Sequence, residues 1–215
     1  NVTTKSMIFE HTRVFNLDGA FRGMRNPKDS WDRSDSYTYG DLLVLGENDE
    51  ALAETLIDGG PTHRKFLRHV FVCVDITAPR YWWQEFDTYR FGVERNSCST
   101  MHKIMAYPIT IERFAIDDED IEDPYESNRW SSVIADLNKL RQQYLETKEF
   151  KYFLRLKRRL PESFLQKRTI TMSYEAIHHM IEDRKNHRLP EWREDYIKWA
   201  HTLPYAKELL FDEDR

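Results

Sequence analysis

No stretch of this chain approaches the roughly 18 consecutive apolar residues that a membrane-spanning helix needs, and no signal peptide is visible at its start. The reading is therefore a cytoplasmic protein without a membrane partner. Cysteine is scarce too. Of the two present, Cys73 lies in an apolar run and Cys98 in a polar one, which reads as reduced thiols and excludes a disulfide framework. Neither CxxC nor HExxH occurs, so no metal site is expected. Positive charge is not in excess: 32 Lys and Arg against 37 Asp and Glu leave a net charge of −5. That balance argues against bulk binding to duplex DNA or anionic membranes, and nucleic acid is not the expected partner. Low-complexity linkers and internal repeats are missing as well.

What is present fits one domain over residues 1–215, long enough to bury a core. The surface must be very polar, with 32% charged residues and a mean hydropathy of −0.74. Against that background, six Trp, eleven Tyr and twelve Phe point to aromatics gathered in a core and around pockets.

Met7 to Phe15 alternates loosely and reads as a first strand. Residues 22 to 41 carry turn formers throughout and read as a long loop, a length that is uncommon and often functional. Within it Arg25, Trp31 and Ser34 are placed to close over a ligand. Asn48 or Asp49 is positioned to cap a short helix through Ile57, ended by Gly59-Gly60. A strand from Val70 to Thr77 follows. The acidic run 117 to 123 reads as a solvated loop, since the EF-hand spacing and glycine are absent. Asn128 to Phe150 is a helix, with Trp130, Val133, Ile134, Leu137, Leu140, Tyr144 and Leu145 on one stripe. Two more helices are expected over Ser173 to Asn186 and Trp192 to His201. The fold class is α/β (α+β), with a helix-rich second half.

The densest chemistry lies between Pro79 and Ile104. An aromatic helical segment ends in Tyr89-Arg90 and leads to the polar run Asn96-Ser97-Cys98-Ser99-Thr100. One cation and several hydroxyls just beyond a buried strand suit an anionic ligand. Each feature also has a plainer reading. Arginines such as Arg90 and Arg184 often serve surface ion pairs, His63 and His69 suit a core as well as a ligand, and Tyr81-Trp82-Trp83 suits a core as well as a flavin. His178 and His179 are adjacent on a helix and point in different directions. The basic segment 151 to 168, with Tyr152, Phe153 and Phe164, is either a solvated helix end or a single-strand nucleic-acid contact.

Several separated pieces together resemble the flavin-dependent thymidylate synthase family. Its signature is Arg-His-Arg, seven residues, then Ser, after a strand and an alanine-proline. Here Ala78-Pro79 precedes Thr88-Tyr89-Arg90, and Cys98, flanked by Ser97 and Ser99, stands where the serine belongs. Gly60, His63 and His69 match an upstream Gly-His element. Lys157, Arg158 and Arg159 precede Leu160-Pro161, where the family has Arg-x-x-Leu-Pro. Ser173 and Arg184 stand eleven residues apart, as the family's Asn and Arg do. The order is consistent over about residues 45 to 200.

The resemblance implies a thymidylate synthase-like fold with a central, mostly antiparallel sheet. It implies one-carbon transfer to C5 of a pyrimidine deoxynucleotide (dUMP to dTMP or a related conversion), with FAD as cofactor and NADPH and methylenetetrahydrofolate as co-substrates, on a homotetramer. Arg184 would be catalytic. Arg90, Ser97, Ser99, Arg158, Arg159 and Ser173 would bind the pyrimidine nucleotide, and His63, His69, Thr88, Tyr89 and Arg90 the flavin. Thr88 and Tyr89 replace an arginine and a histidine of the signature. A catalytically inactive nucleotide-binding or protein-interaction module on the same fold is the alternative.

Overall fold

The computed structural model describes residues 1–4, 6–40 and 42–212; Lys5, Asp41 and residues 213–215 lie outside it. Its centre is a five-stranded sheet built from β1 (Val2–Thr3), β2 (Ile8–Phe15), β5 (Phe71–Pro79), β6 (Val93–Ser97) and β7 (Leu165–Ser173). Spatial order is β1-β2-β5-β7-β6 and every pairing is antiparallel. A separate hairpin pairs β3 (Tyr37–Tyr39) with β4 (Leu42–Val44).

The period-two rule for strands explains which face the helices cover. Along β5, Val72, Val74, Ile76 and Ala78 are fully buried, while Cys73, Asp75 and Thr77 point to the half-exposed face. On β7 the buried alternates are Ile170 and Met172. Strand β2 carries one extra residue between Glu10 and Arg13, opposite Asp75 and Cys73, with His11 at φ 56. This is a β-bulge.

Packed on the apolar face are α1 (Leu17–Met24), α2 (Glu47–Asp58), α3 (Arg80–Phe86) and α8 (Tyr174–Arg184). The chain closes this core with a π turn over Glu191–Tyr196, α9 (Ile197–Ala200) and α10 (Ala206–Leu209). Pro79 ends β5 and stands before the first turn of α3, where its fixed φ of −67 suits a helix start. Trp82 and Trp83 belong to this core. Trp82 stacks on Trp192 at 4.5 Å, and the Trp83 indole donates to Ala78 and Gln166 carbonyls at 3.1 and 2.9 Å.

A second apolar cluster shares no residue with the first. It joins α6 (Pro124–Thr147) and α7 (Phe150–Arg159) to Ile104, Met105, Ile109, Phe114 and Phe164, with α4 (Thr100–Lys103) and α5 (Asp118–Glu122) nearby in sequence. The α6 helix starts at Pro124, earlier than the apolar stripe suggests. The Asp123 carboxylate accepts from the Tyr125 and Glu126 amides at 2.8 and 3.0 Å, and proline fits the first helical position. Its end at Thr147, with Lys148 at φ 59, puts Phe150 in the next helix.

Three expectations need correction. The stretch 22–41 is not one long loop: residues 22–24 finish α1, two 3-10 turns follow, and β3 occupies Tyr37–Tyr39, while Asp41 lies outside the described residues. Neither is it free to close. Asp49 is fully buried and accepts from Arg25 Nε at 2.5 Å, Ser34 Oγ at 2.6 Å and the Ser36 amide at 3.2 Å, pinning the segment to α2. Thirdly, α2 is capped from a distance: Asp35 accepts from the Asn48 and Asp49 amides at 2.9 and 3.1 Å, so neither Asn48 nor Asp49 is the cap. The acidic run is exposed as read, though 118–122 forms a helical turn.

Candidate functional site

Strand β6 separates the two parts of the signature. Arg90 precedes it and Ser97 ends it; Val93 pairs with Met172 and Ser97 with Arg168. Four residue steps at about 3.3 Å each put roughly 13 Å between the strand's ends.

Beyond the Ser97 end the chain turns into α4. The Ser99 hydroxyl caps it, accepting from the Met101 and His102 amides at 3.2 and 3.3 Å and lying 2.9 Å from His102 Nδ1. Ser97 is exposed. Thr100 meets the member of the 157–159 run that was not among the expected nucleotide ligands: Lys157 Nζ donates to Thr100 Oγ1 at 2.5 Å. Burial, and then the charge of Arg80, hold the Lys157 ammonium below the usual lysine range. Among the described residues no carboxylate pairs with it. Ser99 and Thr100 line a cavity of about 260 Å³ together with Cys98, Lys103, Glu112, Arg113 and Lys167; Lys157 reaches its edge through Thr100. Lys167 is already neutralised by Glu10 at 2.9 Å and Asp75 at 3.3 Å. A half-buried, unpaired ammonium beside two hydroxyls is chemistry suited to a phosphate or carboxylate.

Arg158 and Arg159 do not reach this place. Arg158 is exposed, and Arg159 forms an ion pair with Asp136 at 2.7 Å on the outer side of the α6–α7 hairpin. The periodicity of α7 explains the exchange. Phe153 and Leu156 are its buried positions, continued by Leu160 just past its end, so Lys157 flanks the inward stripe whereas 158 and 159 turn outward. That spacing was readable in the sequence.

The other group gathers around Arg184 at the end of α8. Its Nε donates to the Tyr89 hydroxyl at 2.8 Å and its Nη1 to Glu85 Oε2 at 2.6 Å. The guanidinium lies 5.4 Å from the Tyr89 ring centre and 5.2 Å from that of Trp192. Glu85 Oε2 also lies 3.0 Å from His187 Nε2. Burial pushes the Tyr89 phenol above the usual tyrosine range, against the opposing pull of Arg184. Thr88 turns its hydroxyl back onto the Glu85 carbonyl at 2.7 Å. Ser173 is buried, and its hydroxyl caps α8 by accepting from the Ala176 amide at 3.2 Å, so it presents nothing to a ligand. Arg90 is exposed and, among the described residues, makes no hydrogen bond or ion pair; Phe91 beside it is 95% exposed. His63 and His69 are exposed too.

A polar relay links the two groups. The Tyr89 carbonyl accepts from Arg95, which lies 3.6 Å from Asp87. Asp87 accepts from Arg168 at 2.8 Å, Arg168 donates to Gln166 at 3.1 Å, and Gln166 donates to the Cys98 carbonyl at 2.9 Å. Arg168 also sits 4.3 Å from the Trp83 ring centre. Sequence reasoning missed Arg95, Asp87 and Gln166, whose pairing depends on β6–β7 register.

The two adjacent histidines diverge as read. His178 is buried with Nε2 3.0 Å from Asp212, and His179 lies outside beside Asp183 at 3.4 Å. Among the described residues no group of three or more His, Cys, Asp or Glu is arranged to hold a metal ion, and no helix is long and apolar enough to cross a membrane.

No protein-family model matches the sequence, and no curated protein does either. Solved structures do match. A crystal structure of thymidylate synthase X (ThyX) from Helicobacter pylori with FAD and dUMP superposes with a TM-score of 0.67 at 19% identity, over 97% of this chain and 98% of that one. Another, described as flavin-dependent thymidylate synthase ThyX from the same organism complexed with FAD and dUMP, gives 0.69 at 20% identity over the same shares. The fold is thymidylate synthase-like. Within this thymidylate synthase-like fold, the residues assigned to flavin differ in their fitness for it. Arg90 and the exposed imidazoles of His63 and His69 have the donor chemistry a dinucleotide's phosphates require. Thr88 and Tyr89 do not, because Glu85 and Arg184 engage them.

Proposed function

We propose that this chain binds a pyrimidine deoxynucleotide and, with a flavin, transfers a one-carbon unit to C5 of its base. The observation that carries the reading is Lys157, an ammonium without a carboxylate partner among the described residues, hydrogen-bonded to Thr100 beside Ser99 in a fold shared with structures that hold FAD and dUMP. Lys157, Thr100 and Ser99 would take the nucleotide's phosphate, with Lys103 as a second cation. Arg184 would steady negative charge on the ring; losing one such donor costs about 10²- to 10³-fold in rate. Arg90, His63 and His69 would hold FAD, which supplies hydride chemistry when bound. NADPH and methylenetetrahydrofolate would be the co-substrates. The protein's own task is to bind, orient and exclude water. Cytoplasmic placement, a single domain over 1–215 and a homotetramer complete the proposal.

A second reading has a specific observation behind it. Arg184 is held by Glu85 and Tyr89, and Thr88 is turned inward, which suits a nucleotide-binding or protein-interaction module without catalysis. An absorbance spectrum decides between them: the protein is incubated with FAD and desalted, with and without dUMP. Retained flavin near one per chain keeps the enzyme reading and justifies a tritium-release assay on dUMP. No retained flavin in either condition overturns the flavoenzyme and leaves the binding module.

A further inference from the structure

Arg184 already has an occupant. Of its five N–H donors, Nε–H goes to the Tyr89 hydroxyl and one Nη1–H to Glu85, while Tyr89 and Trp192 lie against its faces. Glu85 is an acidic residue of this chain bound to the guanidinium that an acidic or electron-rich ligand would also use. Its neighbours add to the exclusion: Asp183 accepts from the same Tyr89 hydroxyl at 3.1 Å. An incoming anion would be opposed by two carboxylates close to the guanidinium.

Glu85 also has somewhere to go. The oxygen that Arg184 holds at 2.6 Å lies 3.0 Å from His187 Nε2, so the carboxylate can give up the arginine and keep the imidazole. Its side chain is 33% exposed against 18% for Arg184, so the acid, not the guanidinium, is the member with room to turn. Tyr89 and Trp192 would hold the guanidinium in place meanwhile.

We propose that Glu85 is an internal competitor for Arg184, passed to His187 when a ligand takes the arginine, and that it sets which ligands the Arg184 group accepts. As a statement about ligand admission this rests on the nucleotide reading above; as a statement about Arg184 it does not. The test has two arms. In the first, the intact protein and Glu85→Gln are treated with phenylglyoxal, and modification of each arginine is followed by mass spectrometry, with buried Arg25 and exposed Arg158 as internal references. A partly exposed ion pair of this kind corresponds to about a two- to five-fold change. Arg184 should therefore react about two- to five-fold faster in Glu85→Gln, with Arg25 and Arg158 unchanged. An unchanged Arg184 rate overturns the proposal. So does an equal rise at Arg25, which would report loosened structure instead of a released arginine.

In the second arm dUMP binding is measured by calorimetry. Glu85→Gln should bind about two- to five-fold more tightly than the intact protein, and Arg184→Gln should remove that gain. Faster labelling with unchanged or weaker dUMP affinity overturns the competitor. If neither protein binds dUMP, the nucleotide reading is what fails, and labelling alone decides whether Glu85 occupies Arg184.

Discussion

Lys157 and Thr100 are 57 residues apart in the chain and 2.5 Å apart in space. The contact joins the end of α7 to the first residue of α4, and it leaves an ammonium with hydrogen-bonding capacity to spare beside the 260 Å³ cavity. A charge-assisted hydrogen bond contributes about 1.5–3 kcal/mol, or roughly 10- to 150-fold in affinity. Lys157→Gln should therefore weaken dUMP binding by that factor, while deoxyuridine, which lacks the phosphate, is affected little. Arg158→Gln and Arg159→Gln should each stay within about two-fold. Calorimetric titration of the three variants with both ligands checks this, and equal losses for dUMP and deoxyuridine would refute the phosphate role.

The Arg25–Asp49 pair makes a prediction about acid. Burial opposes the charge on Asp49, but bonds from Ser34, Ser36 and Arg25 outweigh it and hold the carboxyl below the usual aspartate range. A depressed folded value stabilises the protein above the unfolded value and loses that contribution as pH falls through the folded one. Urea midpoints should thus drop from mildly acidic into strongly acidic conditions, and Asp49→Asn should flatten that part of the profile. Removing the partner outright is harsher. Asp49→Ala leaves Arg25 buried and uncompensated, at a cost of about 3–5 kcal/mol in urea unfolding.

Gly92 carries the turn that presents Arg90 and Phe91. Its φ is +68, and a Cβ there would lie 2.8 Å from Ser173 Oγ, the atom that caps α8. Gly92→Ala should lose about 1–2 kcal/mol from the left-handed conformation alone, with a further loss as the cap is displaced. Chemical denaturation measures the total, and Gly23→Ala, which meets nothing within 4 Å, serves as the control. A loss no larger than the control's would mean that the turn relaxes freely.

Much of the fold was legible. The strand β5, the helices α6 and α8 and the apolar stripe of α6 follow from periodicity, which local sequence carries directly. What escaped depends on partners distant in sequence. Asp35 caps α2 and Asp49 pins residues 25 to 36, and neither bond has a local signature. The helix α1 was lost among Gly19, Gly23 and a left-handed Asn16. The site was legible in part for the same reason. Arg184 and Arg90 were named through the resemblance, but which cation of 157 to 159 turns toward Thr100 needed the helical phase of α7. Ser173 looked like a ligand and is a cap, because a serine before a helix satisfies both patterns.

The two apolar clusters have a consequence for how this protein should come apart. Lys157 and Thr100 ride with the cluster of α6 and α7, whereas Arg184, Tyr89 and Trp192 ride with the sheet. Units with separate cores tend to open separately, and amide exchange would register them as two populations. A nucleotide that touched both would favour the state in which both are closed. Its signature would be a sharpening of the melt: two overlapping transitions drawn into one.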